Sequence, residues 1–230
     1  MARSHTSRDF ESELRELRAH SLAMGARCER SLQLALEAFW SGSVERATEV
    51  EELDRQIDAD EMQIDALVLR ILALRQPVAY DLRFLTTALK LVTDLERIGD
   101  EAVNISERAR EGHAATGEVR QRLESMSEQA QQMVRDALDA FVEGEAARAE
   151  QVLERDDGVD AAYGDILSKM TEYMKANPDE IPAAIRVMKV AKYIERIADH
   201  ATNIAEEVIF MVRGEDVRHV RTHPPPKVQH

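Results

Sequence analysis

The sequence predicts an all-α protein made of two tandem, internally repeated antiparallel three-helix bundles. Three observations carry this expectation. Aromatics make up 4% of the 230 residues, with only 9 Gly and 6 Pro, while helix-favouring Ala, Glu, Arg and Leu abound; this composition disfavours a sandwich or barrel. Chain breakers are sparse and regularly placed. A segment also occurs twice: Asp94-Leu95-Glu96-Arg97-Ile98-Gly99-Asp100 running on to Asn104-Ile105, and Tyr193-Ile194-Glu195-Arg196-Ile197-Ala198-Asp199 running on to Asn203-Ile204. The copies lie 99 residues apart, from Asp94 to Tyr193. Charge repeats too: residues 1–112 carry 15 basic and 22 acidic side chains, half of the 30 and 44 in the chain.

The breakers delimit six helices. The first is expected over 9–40, stopped by Ser41-Gly42-Ser43, and the second over 43–75, stopped by Gln76-Pro77. The third should run over 79–111, ahead of a glycine-flanked linker from Gly112 to Gly117. The fourth, 118–142, ends before Gly144; the fifth, 145–175, ends before Asn177-Pro178; the sixth, 181–213, ends before Gly214. Domains are accordingly expected over 8–112 and 117–214, with a disordered tail over 215–230 that contains Pro224-Pro225-Pro226. A thirty-residue helix is ~45 Å long, so the bundles should be elongated, and short connections make consecutive helices antiparallel neighbours.

The third and sixth helices are the most informative. Phe84, Ala88, Leu91, Leu95, Ile98, Ala102, Ile105 and Ala109 alternate steps of four and three, as do Ala183, Val187, Val190, Ile194, Ile197, Ala201, Ile204, Val208 and Met211. That is a coiled-coil-like packing seam. Each helix has a second apolar face: Leu82, Leu85, Leu89, Val92 and Val103 in one, and Ile181, Ala184, Met188, Ala191 and Ile209 in the other. Two apolar faces require packing partners on both sides.

The pairs Glu96/Asp100 and Glu195/Asp199 interrupt that second face. Carboxylates four residues apart on a helix have Cβ atoms about 5–6 Å apart and repel. Partial burial sharpens the cost, so a basic partner, protonation or a metal ion should compensate. Arg97 and Arg196 follow the glutamates but point about 100° away, which favours pairing with a neighbouring element. The preceding helices carry Asp54, Asp58, Glu61 and Asp65, and Asp156 and Asp160. Facing carboxylates from adjacent helices would make an oxygen-rich site for Mg, Mn, Fe or Zn; the bland alternative, strongest for Asp54/Asp58 and Asp156/Asp160, is a solvated acidic face. Asn104 and Asn203 read as helix–helix hydrogen-bonding residues, and Trp40 and Cys28 as packing residues.

Other classes are disfavoured. A net charge of −14 argues against a general nucleic-acid or anionic-membrane binder. No stretch approaches the ~20 apolar residues of a membrane span, no apolar signal core is present, and Cys28 is the only cysteine. The expectation is a soluble cytoplasmic protein. No phosphate loop, nucleophile elbow or H-E-x-x-H motif occurs. The Glu-x-x-His pairs of di-iron bundles are missing as well, since Gly99 and Ala198 stand three residues after Glu96 and Glu195.

Gln76-Pro77-Val78-Ala79-Tyr80-Asp81-Leu82-Arg83, the doubled E-R-I-[GA]-D-x-x-x-N-I and the stretch Tyr193 to Val208 together resemble the PhoU family of phosphate-uptake regulators, over about residues 8–214. The resemblance implies two similar three-helix bundles in a cytoplasmic, non-enzymatic homodimer. It further implies a regulator that links a phosphate ABC transporter to a sensor histidine kinase and represses the phosphate-starvation response. Some family members hold metal clusters on acidic-x-x-x-Asp motifs; carried onto this chain these are Glu96/Asp100 and Glu195/Asp199, with Asp54/Asp58 and Asp156/Asp160 as partners. Gly99 and Glu101 in one repeat stand where the other has Ala198 and His200, so the two sites are expected to differ. A carboxylate-bridged metalloenzyme and a metal-free helical scaffold are the competing readings.

Overall fold

A computed structural model describes residues 2–111 and 117–217. Its six long helices are α1 (Ala2–Ser41), α2 (Val44–Arg75), α3 (Ala79–Glu107), α4 (Glu118–Glu143), α5 (Ala146–Ala176) and α6 (Ile181–Arg213). No strand occurs among the described residues. Two details depart from expectation. Helix α1 begins at Ala2 rather than near residue 9, and the last turn expected of α3 tightens into a 3-10 turn, Arg108–Glu111. Linker residues 112–116 and tail residues 218–230, with Pro224–Pro226, His219, His223 and His230, lie outside the described residues. Residues 214–217 carry no regular structure, although Val217 packs against the core.

The breakers act by identifiable means. Gly42 closes α1 with φ 70° and donates its N–H to Ala38 O at 2.8 Å. Ser43 then caps α2, its hydroxyl accepting from Arg46 N at 3.3 Å. Gln76 closes α2 in the left-handed region (φ 49°, ψ 55°), and Pro77 cannot continue the helix. Gly144 and Gly214 close α4 and α6 at φ 71° and 75°. Pro178 opens a single 3-10 turn that leads into α6.

Helices α1, α2 and α3 pack on one another, as do α4, α5 and α6, while α3 against α6 and α1 against α4 join the two sets. One continuous apolar core runs through both. Every third-helix seam residue from Phe84 to Ala109 is buried. On the second face Leu85 and Val92 are buried, as are Ala184, Ala191 and Ile209 of α6, whereas Leu82 and Ile181 at the helix starts are exposed. Gly99, on the same face of α3, lies against Ile57 of α2. The second face of α3 therefore meets α2.

Candidate metal centres at two carboxylate clusters

The eight predicted acids gather into two groups. Asp54, Asp58 and Glu61 of α2 face Glu96 and Asp100 of α3 closely enough for their charges to act on one another. Asp156 and Asp160 of α5 likewise face Glu195 and Asp199 of α6. All eight sit half-buried or exposed along the helix–helix edges. Gly99 brings the first group together: a Cβ there would stand 3.2 Å from Asp54 Oδ1 and 3.1 Å from Ile57 Cδ1, so the missing side chain lets the α2 carboxylate nestle against α3.

Crowding shows in the acidities. Burial, then the carboxylates of Asp58 and Asp100, push Asp54 up to about 6. Burial, then Glu195 and Asp156, push Asp199 up to about 6. Glu96 and Glu61 are raised as well, by burial first and then by Asp100 and Asp65 respectively. Such groups gain from a divalent cation, which relieves repulsion and replaces lost hydration. The donors are hard oxygens throughout, which suits Mg, Mn, Fe or Zn. Among the described residues no three His, Cys, Asp or Glu side chains are already arranged to hold an ion.

Built-in cations differ between the clusters. Arg97 Nη1 reaches Asp100 Oδ2 at 3.1 Å and its Nε reaches Glu96 Oε2 at 3.3 Å. The expectation that Arg97 pairs with a neighbouring element is thus corrected: its long side chain curls back over the acids of its own helix. Its counterpart Arg196 does cross over, to Glu101 of α3 at 2.9 Å. In the second cluster the cation is Lys192, whose ammonium bonds Glu195 and lies 5.5 Å above the Tyr163 ring.

Sequence reasoning missed a polar seam between α3 and α6. The helices run antiparallel, with Arg83 Nε donating to Met211 O at 2.9 Å and Lys90 Nζ to Glu207 Oε1 at 2.8 Å. His200 Nδ1 lies 2.9 Å from Asp94 Oδ1, which also accepts from Asn203 Nδ2 at 3.2 Å. Asn203 therefore bonds across helices as expected, whereas Asn104 bonds Glu101 of its own helix at 3.3 Å. Glu101 and His200 point into this seam, so the expected difference between clusters does not arise from them. The signal was present in the unequal repeat positions Asp94/Tyr193 and Glu101/His200.

The remaining singled-out residues are structural. Cys28 is buried with its Sγ 3.2 Å from Leu95 O, and burial pushes its thiol up. Trp40 packs on Phe39 at 4.8 Å between ring centroids and under the Arg120 guanidinium at 4.9 Å. It lines an open groove of about 720 Å³ to which none of the eight acids contributes. Among the described residues no helix is long and apolar enough to cross a membrane.

Comparison with known proteins agrees with this architecture. The PhoU domain family model matches twice, over residues 22–109 and 123–208, each match containing one acid cluster. The chain is 43% identical over 220 residues to the phosphate-specific transport system accessory protein PhoU homolog of Pseudomonas putida, covering 94% of this chain and 85% of that protein. The crystal structure of PhoU from Pseudomonas aeruginosa superposes with a TM-score of 0.84 at 40% identity, covering 90% of this chain and all of that one. The phosphate transport system regulatory protein PhoU from Streptococcus pneumoniae superposes at 0.83 with 28% identity, covering 90% and 99%.

Proposed function

The chain belongs to the PhoU family, and from that premise we propose that it is a cytoplasmic, homodimeric regulator of phosphate uptake. It represses uptake and the phosphate-starvation response by linking a phosphate ABC transporter to a sensor histidine kinase. The observation that carries this reading is the family match over both repeats together with 43% identity to an accessory protein across 94% of the chain. An accessory role also fits the site. The clusters offer carboxylates, and the sequence places no Glu-x-x-His pair beside them.

Metal ions belong to the proposal. Asp54, Asp58, Glu96 and Asp100 would hold one centre, and Asp156, Asp160, Glu195 and Asp199 the other. A bound cation would tie α2 to α3 and α5 to α6 and neutralise the most crowded acids of each repeat. The support is the carboxylate donor set, its raised acidities and the Gly99 cradle.

Deleting the gene in the native host at high phosphate tests the regulatory role. Derepressed phosphate-starvation transcription and raised uptake are expected; wild-type levels of both refute it. Elemental analysis of untagged protein, purified without chelator, tests the metal role. Retention lost in Glu96→Ala/Asp100→Ala and Glu195→Ala/Asp199→Ala variants is expected. Equal metal in wild type and variants would show these acids to be counter-charged scaffolding.

A further inference from the structure

Four helices lie side by side across one face of the molecule, in the order α2, α3, α6, α5, with α1 and α4 packed behind them. The edge between α2 and α3 changes character along its length. Thr93 of α3 donates to Glu61 of α2 at 3.4 Å, and Gly99 lies against Asp54 and Ile57, so the two helices run antiparallel. Leu69, further along α2 than Glu61, therefore comes opposite the stretch of α3 between Leu82 and Leu89. Met62, Asp65, Leu69 and Leu72 follow one another at steps of three and four and share one face of α2. Here the stripe turns from acidic to apolar on both walls: Met62 is 67% exposed, Leu69 60% and Leu82 42%, with Leu72 and Leu89 half-buried beside them. Exposed leucines scattered singly are ordinary. A run contributed by both walls of one helix–helix edge is the pattern of a helix-docking groove. The second repeat has it too, since the 99-residue offset takes Leu82 to Ile181 and Leu89 to Met188, and Ile181 and Ile185 are exposed.

We propose that the α2–α3 edge is a docking groove for an amphipathic helix of another protein, whose apolar residues seat on Met62, Leu69 and Leu82 and whose basic residues lie over Glu61 and Asp65. This rests on the regulator reading and says where such a regulator takes hold of a partner; it needs no metal ion. Length fits the occupant. Met62 to Leu72 spans about 15 Å, close to three helical turns, which suits apolar anchors at i, i+3 or i+4, and i+7 of a docked helix. Charge selects it. A second copy, from a chain of net charge −14, would set these acids against their like. An anionic lipid surface would be repelled by the same carboxylates. Arg97 is engaged with Glu96 and Asp100, so the cations that complement Glu61 and Asp65 come with the partner.

The test is photo-crosslinking of the full chain in its native host, with p-benzoylphenylalanine replacing Leu69 or, separately, Met62, both exposed positions. Mass spectrometry then maps the segment joined to each. The expected adduct is a segment of another protein with apolar residues at helical spacing and Lys or Arg at the end that meets Glu61. That segment, synthesised and labelled, should bind the purified full chain in a fluorescence anisotropy titration. Leu82→Ser should weaken it about tenfold or more, as loss of an apolar anchor does. Glu61→Lys/Asp65→Lys should weaken it by a similar factor, and added salt should narrow the difference between wild type and that variant. Adducts to a second copy of this chain, to lipid or to an acidic segment overturn the proposal. So do an absence of adducts at both positions and unchanged affinity in both the Leu82 and the charge-reversal variants. Any of these alongside a derepressed deletion strain removes the docking groove and keeps the regulator; a deletion strain at wild-type levels removes the regulator reading itself.

Discussion

Removing Arg196 isolates the polar seam that holds the two repeats together. The Glu101 side chain is 3% exposed and has two partners, the Arg196 guanidinium at 2.9 Å and the Asn104 amide at 3.3 Å. Taking one partner from a buried ion pair leaves an uncompensated charge and costs about 3–5 kcal/mol. Arg196 is itself 47% exposed and the Asn104 bond survives, so Arg196→Met is expected near the lower end, about 3 kcal/mol. An exposed pair would lose no more than about 1 kcal/mol.

The pH dependence separates this mechanism from lost packing. Burial, opposed chiefly by Arg196, holds Glu101 above the ordinary carboxylate range. A carboxyl whose folded pKa exceeds its unfolded value loses stability as pH rises between the two. Deleting the guanidinium raises the folded value further. The deficit of Arg196→Met should therefore be small near about pH 5 and largest near about pH 8. Urea unfolding followed by far-UV circular dichroism at both pH values measures it. The double variant Glu101→Gln/Arg196→Met should recover most of the loss. A deficit below about 0.5 kcal/mol at pH 8, or one equal at both pH values, refutes the reasoning.

Metal-free protein should gain stability as pH falls from about 7 to about 5, because Asp54 and Asp199, both raised to about 6, take up protons in the folded state first. A rise from about 4 to about 6 is nominally about 2.7 kcal/mol; solvent screening of these part-exposed groups reduces it to about 1 kcal/mol each. Asp54→Asn should accordingly stabilise the metal-free protein by about 1 kcal/mol at pH 7.5 and flatten that slope, as thermal melts would show. Gly99→Ala places a Cβ 3.1 Å from Ile57 Cδ1 and 3.2 Å from Asp54 Oδ1, so it should cost about 1 kcal/mol despite the better helix propensity of Ala, measured by urea denaturation. Gln76→Gly relieves a left-handed residue at φ 49° and should gain about 1 kcal/mol in the same assay.

How much of this was legible in the sequence follows from which forces act locally. Helix ends were legible because Gly42, Gly144, Gly214, Pro77 and Pro178 act on their own backbone. Only the tightened turn at Arg108–Glu111 and the early start of α1 departed from the reading. The acid clusters were legible because Glu96/Asp100 and Glu195/Asp199 break an apolar period, and a break in a period needs no knowledge of the partner helix. The α3–α6 seam was legible only in part. Arg196 and Asn203 read as reaching a neighbouring helix, but which helix they reach, and that Glu101 and Asp94 receive them, follows only from the antiparallel register that sets Arg196 against Glu101 and His200 against Asp94. Side-chain reach was hidden too. Arg97 and Arg196 occupy the same place in the duplicated motif, yet one folds back over its own helix and the other crosses to the next. What separates them is the neighbour each finds: Arg196 meets the buried Glu101, while Arg97 has two crowded acids within reach. Duplication supplied two equal helices; packing them against each other forced equivalent residues into different roles.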